Sequence, residues 1–322
     1  MLAIWWKALT QPYLDLTLRV GSDVTSRIVE RPGSWMSGPE LAGLVADLRA
    51  VARRTLNDAD LGYGILTGTP DRVEKSVVTI LYDRKNTPIA FNALAIMDVT
   101  LHGRRTEVLH MGLVMIAPDV RSQGLSWVLY GLTCLVLFLR NQMRPLWLSN
   151  VTQVPAIVGM MTETFTNVFP SPKPGARRSF EHLLLARSIM AGHRHVFGVG
   201  AEARFDEQRF VIANAYTGGS DHLKKTFATA PKHRNEVYND FCARELDYDR
   251  GDDVLQLGQL TTETARWFVL RNVPTRLLPG VLSTLAFVTL NRGVLPLVHW
   301  LSADRQYGIL RPWTGPAAAR PK

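Results

Sequence analysis

A change of hydrophobic period constrains this chain more than any other feature. Residues 76–82 and 89–100 are rich in β-branched and apolar side chains, and the turn-forming stretch 83–88 between them predicts a hairpin. A second reversal at residues 101–105 leads into a third run, 107–116, so three strands of an antiparallel meander are expected. After Pro118 the period becomes helical, and a long apolar helix is predicted to about Leu139. Residues 146–150 read as a short strand and 155–165 as a further helix. This order is an antiparallel meander followed by a helix, a short strand and a further helix.

Elsewhere the pattern is less regular. Leu41, Leu44, Val45, Leu48 and Val51 recur at helical spacing, with Ser37 nearby as a candidate N-cap. Residues 1–20 combine Trp5, Trp6, Leu9, Tyr13, Leu14 and Leu16 with few charges and read as a short helix with an aromatic edge. The proline-rich stretch 170–175 is the sharpest break. It suggests an N-terminal segment over 1–38 of membrane-interfacial character, a core over 39–170 and a C-terminal region over 171–322. In that last region, 180–190 and 262–301 read as helical, 205–215 as mixed and 221–253 as polar.

Composition narrows the class. With 46% hydrophobic and 20% charged residues in 322, the chain can bury a sizeable core and is not mainly disordered. Cys134 and Cys242 are too few for a disulfide scaffold, which suits a reducing cytosol. The first seven residues lack a basic n-region and a small-residue cleavage site, so a secretory signal is not expected. The uncharged stretch 122–139 contains Gln123, Gly124, Ser126 and Gly131 and reads as a buried helix rather than a span. The net charge of +9 is uneven: +2 in residues 1–170, +7 in 171–322, and +6 in the last 69 residues alone. Such a basic end calls for an anionic partner.

The chemically informative segment runs from Glu107 to Ser126. A strand ends at Pro118, and a short loop containing Arg121-x-x-Gly124-x-Ser126 opens the long helix. Unpaired backbone N–H groups of residues 121–126, aided by the helix dipole, suit a pyrophosphate. Gly124 permits close backbone approach, and Arg121 adds a cation. The loop is neither a Walker A sequence nor a three-glycine dinucleotide fingerprint. His193 and His195 lack a third nearby ligand, so no metal is predicted. The basic stretch 224–234 offers only Phe227 for base stacking, so no nucleic-acid partner is expected.

In order and motif, residues 40–170 resemble the GNAT superfamily of acyl-CoA-dependent N-acyltransferases. Arg121 and Gly124 match its Gln/Arg-x-x-Gly-x-Gly/Ala signature, and Ser126 departs from it by one small residue. The ending Ile116-Ala-Pro118 also resembles its usual strand end. The resemblance implies an α/β (α+β) fold, a GNAT-like mixed, mostly antiparallel sheet flanked by helices with a helical C-terminal extension, and an acyl-CoA co-substrate. Its pyrophosphate would lie on Arg121, Ser122, Gln123, Gly124, Leu125 and Ser126, and its pantetheine arm would pair as an added strand with Val114, Met115 and Ile116. A backbone N–H near Val114 or Met115 would stabilise the oxyanion. By the superfamily's spacing, eleven residues before Arg121, His110 is the candidate base, with Glu107 as the alternative. Many members carry a tyrosine in the helix after the second parallel strand as general acid; residues 155–165 contain none.

The acceptor would be defined by the remaining chain. Arg266, Trp267, Phe268, Leu270 and Arg271, followed by the apolar stretch 277–291, have the composition of interfacial helices over anionic lipid. The expectation is therefore an N-acyltransferase, cytoplasmic and peripheral on the inner face of the cell membrane. It would transfer a fatty acyl group from acyl-CoA or acyl carrier protein to an amino lipid such as a sphingoid base, as in ceramide formation. The alternatives are a soluble acetyl-CoA-dependent acetyltransferase of a small amine or protein lysine, and a catalytically silent CoA- or membrane-binding module.

Overall fold

Runs of alternating and fully apolar residues condense into one sheet. The computed structural model describes residues 8, 11–55, 64–121, 125, 127–218, 220–272, 278–294, 297 and 301. Its strands are β1 (Asp15–Arg19), β2 (Thr25–Glu30), β3 (Ser76–Tyr82), β4 (Pro88–Leu101), β5 (Arg104–His110) and β6 (Val114–Ile116). They continue with β7 (Leu146–Thr152), β8 (Thr166–Phe169), β9 (Arg204–Asp206), β10 (Val211–Ala213) and β11 (Asp253–Leu260). The order across the sheet is β1-β2-β3-β4-β5-β7-β11-β10-β9, with β6 on β4 and β8 on β11. Among these pairings only β5–β7 is parallel; the rest are antiparallel. The fold is thus the mixed, mostly antiparallel α/β (α+β) arrangement that the resemblance implies.

A parallel pair needs a crossover. Here it is a π-helical stretch, Trp127–Leu132, that continues as α3 (Thr133–Arg140). The other helices are α1 (Gly38–Thr55), α2 (Pro70–Glu74), α4 (Pro155–Thr164), α5 (Phe180–Gly192), α6 (Glu236–Glu245), α7 (Thr262–Asn272) and α8 (Leu278–Thr289). Strand alternation sorts them into two layers. Phe91 and Ala93 pack beneath α1, and Met97 and Val99 beneath α5. Their neighbours Ala90, Leu94 and Ile96 point to the opposite face, against α3 together with Ala265 and Phe268 of α7 and Val281 of α8.

Several features depart from the sequence reading: β2 and β8 are strands it does not contain, and its third strand, 107–116, is split into β5 and β6. Residues 15–19 form strand β1 rather than part of a helix: Leu16 and Leu18 are buried while Asp15, Thr17 and Arg19 turn outward, a period of two. Strand β11 went unforeseen because it is buried on both faces, which abolishes alternation. It pairs with β7 over seven residues, so the stretches 1–38, 39–170 and 171–322 all contribute strands to the same sheet.

The end of α3 is tied down by charge. Arg140 meets Glu30 of β2 at 3.0 Å, both side chains being 1% exposed. The guanidinium also donates to the carbonyls of Ala8, Gln11 and Pro12, anchoring the chain before β1. Burial pulls the Arg140 pKa down, and Glu30 opposes that shift. Removing one member of such a pair strands the other in a dry interior. Glu30→Gln is therefore expected to lower unfolding free energy by about 3–5 kcal/mol, measurable by denaturant titration. A paired Glu30→Leu, Arg140→Met protein should lose less than the single variant.

Candidate active site

The site forms where β5 and β7 stop pairing. Their parallel ladder covers Val108–Trp147, Leu109–Leu148 and His110–Ser149, and the Met111 N–H donates to the Ser149 carbonyl at 2.8 Å. Beyond that rung the chain continues as β6, which pairs with β4 alone, while β7 continues beside β11. The two strands open into a fork.

One extra residue produces it. His110 lies opposite Ala95 and Val114 opposite Asn92, so four steps on one strand face three on the other, a β-bulge at residues 111–113. Gly112 is required there, because a Cβ on it would lie 2.7 Å from the Ala93 carbonyl oxygen. The bulge also exchanges faces. His110 sits with Val108 on the α5 side, whereas Val114 and Ile116 pack toward α3.

Register decides which backbone groups enter the fork. Ala117 N–H donates to Ile89 and Ala93 N–H to Leu113, both at 2.9 Å. The antiparallel ladder alternates, so the intervening Met115–Phe91 pair is a hydrogen-bonded one. Val114 and Ile116 then direct their N–H and C=O groups outward. Arg121 reports the same geometry, since its Nε donates to the outward Ile116 carbonyl at 3.4 Å. Of the two backbone N–H groups expected near the oxyanion, that of Met115 is consumed within the sheet and that of Val114 faces the fork.

His110 stands at the base of the fork. It is 4% exposed, with Nδ1 3.0 Å from Ser149 Oγ and its ring 5.2 Å from that of Phe197. Burial pushes its pKa down to about 4, so the imidazole is neutral at physiological pH. Its Nε2 has no hydrogen-bond partner among the described residues. Ser149 and Phe197 were not anticipated; the parallel pairing that brings Ser149 to His110 is a matter of register, which no local pattern reveals.

Glu107 does not share this place. Three residues before His110 on the same strand, it faces the opposite side of the sheet and is held by Arg31 at 3.0 Å. The alternative base is thereby removed from the fork.

On the other side of the fork, Arg121 is exposed and Leu125 buried. Ser122, Gln123, Gly124 and Ser126 lie outside the described residues. The following π-helical turn is positioned by Asn92, whose Nδ2 donates to the Leu129 carbonyl at 2.6 Å. Gly131 in that turn lets α7 approach: a Cβ there would lie within 2.1 Å of the Phe268 ring. Among the described residues, no group of three His, Cys, Asp or Glu side chains is arranged to hold a metal ion.

No protein-family model matches the chain, and no curated protein matches it. Several solved structures do. An acetyltransferase of the GNAT family from Streptococcus pneumoniae is 15% identical, over 49% of this chain and 92% of its own, with a TM-score of 0.30. A spermidine N-acetyltransferase from Vibrio cholerae is 15% identical, over 44% and 78%, at 0.28. An aminoglycoside 6'-N-acetyltransferase from Acinetobacter baumannii is 17% identical, over 36% and 72%, at 0.24. These superpositions are partial, and the fold assignment rests on the strand register of this chain.

Two outcomes test this description. Gly112→Ala should cost about 1–3 kcal/mol of stability in denaturant unfolding, since the Ala93 carbonyl is backbone and cannot step aside cheaply. For His110, the unfolded chain binds its proton near pH 6.5 and the folded one only near 4. Stability is then complete above pH 6.5 and falls as the pH drops toward 4, by about 3 kcal/mol in full. In His110→Asn the part of that pH dependence due to this residue should vanish.

Proposed function

We propose that the protein is an N-acyltransferase that moves an acyl group from acyl-CoA to an amine. The observation that carries this reading is the fork. A strand edge with outward N–H and C=O groups at Val114 and Ile116 leads within five residues into the Arg121 loop and its helix. A pantetheine arm carries amides that can pair with such an edge, and a pyrophosphate suits the loop that follows. Residues 121–126 would hold the phosphates, and Val114 N–H would donate to the thioester oxygen as it becomes an oxyanion.

The reaction needs a neutral amine. Its lone pair attacks the thioester carbon, the new C–N bond forms, the C–S bond breaks, and the thiolate leaves with the electron pair. The nitrogen gives up one proton. With Nδ1–H turned toward Ser149 Oγ, the His110 Nε2 has a free lone pair to receive it, directly or through water. The low pKa of His110 keeps that lone pair available at all pH values above about 5. A thiol of pKa about 8.5 departs tolerably without a tyrosine acid.

The acceptor in this reading is an amino lipid, such as a sphingoid base, met at an anionic membrane surface, and the donor a long-chain acyl-CoA or acyl carrier protein. Support comes from α7 and α8, which pack on the same layer as α3 and leave large apolar side chains outside. A closed fork that admits only acetyl groups would favour a soluble acetyltransferase instead.

The test is release of free CoA by purified protein given acyl-CoAs from acetyl to palmitoyl and a sphingoid base. Palmitoyl transfer exceeding acetyl transfer at least ~10-fold is expected for a pocket that binds the added methylenes. Strict acetyl transfer to water-soluble amines would remove the lipid acceptor, and no transfer at all would leave a binding module. His110→Gln should lower kcat by about 10²–10⁴-fold if it takes the proton. In the parent, kcat/KM should climb with pH toward the amine's own pKa without a break near 6.5. Unchanged turnover in the variant would leave His110 a packing residue.

A further inference from the structure

α8 is apolar on two sides. Gly280, Val281, Thr284 and Val288 are buried, with Val281 packed in the α3 layer. The opposite side carries Leu282, 63% exposed, then Leu290 at 50% and Val294 at 46% on the wider turn that ends the helix. Spacings of eight and four keep them on one broad face of the helix, and Leu297 and Leu301 are 62% and 78% exposed. A helix apolar all round is ordinarily buried on every side.

Its charge identifies the occupant. Residues 278–294 contain no acid, and Arg292 is exposed, with its Nη1 donating to the Gln142 carbonyl at 2.7 Å. On neighbouring α7, Trp267 and Leu270 project outward between Arg266 and Arg271, and the Arg271 guanidinium lies 4.9 Å from the Trp267 ring. Neither Arg266 nor Arg271 has an acidic partner among the described residues. Exposed leucines on one face, an aromatic at the edge and unpaired cations complement an anionic lipid surface. A second copy of the chain would bring like charge to like charge. Among the described residues no helix is long and apolar enough to cross a bilayer.

We infer that α7 and α8 form a lipid-docking face, with Leu282, Leu290 and Val294 set into the acyl boundary and Arg266, Arg271 and Arg292 toward anionic headgroups. The face packs on the element leading into α3, because Phe268 of α7 fills the space above Gly131 in the π-helical stretch. For its purpose, delivery of a lipid amine to the fork, the inference rests on the function proposed above; docking itself does not.

The full chain, with and without Leu282→Gln and Leu290→Gln together, is mixed with phosphatidylcholine vesicles that contain or lack phosphatidylglycerol, and binding is read by co-sedimentation. Both positions are exposed, and an unchanged melting temperature checks that the variant folds. The parent should bind the anionic vesicles at least ~10-fold more tightly than the neutral ones, less so as salt rises. The paired substitution should weaken binding ~10-fold or more. Failure to bind anionic vesicles, or binding indifferent to the substitutions, overturns the inference. So does a dimer in solution that the same substitutions dissociate, which would assign the face to a second copy. Acyl transfer is assayed on the same samples: vesicle binding without transfer to an amino lipid removes the proposed function and leaves the docking face, whereas transfer without vesicle binding does the reverse.

Discussion

Backbone hydrogen bonding inside a sheet is obligatory, and near the centre of this sheet it is interrupted between β6 and β7. After the His110–Ser149 rung, β6 leans to β4 and β7 to β11, leaving facing edges whose peptide groups have no strand between them. A buried peptide group without a partner costs about 1–3 kcal/mol, so an opening of this kind persists where water or a ligand completes it. The bulge at Gly112 makes the opening, and the close Ala93 carbonyl makes glycine the residue that fits. Much of the surrounding structure holds the two arms apart. Asn92 clamps the π-helical turn, Arg140 and Glu30 fix the far end of α3, and β11 fastens the second arm over seven residues.

The face exchange at the bulge gives the fork two distinct sides. Toward α3 lie the Val114 and Ile116 side chains and the Arg121 loop. Toward α5 lies His110 with Ser149 and Phe197. In the proposed reaction the cofactor is held on the first side and the proton of the attacking amine is taken on the second. Burial that keeps His110 neutral serves the same chemistry, because a protonated imidazole could not take the amine's proton.

Local patterns carried the meander and the crossover helix, because each is written in contiguous residues. His110 and the edge role of the Val114–Ile116 strand come instead from the superfamily resemblance and its spacing. What local patterns could not carry was register. Whether Val114 or Met115 turns its N–H into the fork depends on which β4 residue lies opposite, and Ser149 reaches His110 only through a pairing made across nearly forty residues. Glu107 looked equivalent to His110 by chemistry, yet strand alternation places it on the other face and Arg31 occupies it. Strand β11 was hidden for a different reason: with both faces covered, Asp253, Gln256 and Gln259 interrupt the apolar run without marking an exposed side. In β1 the alternation of Leu16 and Leu18 was present but was outweighed by the aromatics that precede it.

The central claim is that the outward edge of β6 receives an acyl-CoA as an added strand. Residue-resolved amide hydrogen exchange, followed by NMR with and without a non-hydrolysable acyl-CoA analogue, addresses it directly. The Val114 N–H, free in the fork, should gain protection on binding, by roughly tenfold or more for a new hydrogen bond of ordinary net strength. The Met115 N–H, already bonded to Phe91, should change little by comparison. Protection that spares Val114 and appears elsewhere, or no binding of the analogue at all, would contradict the account.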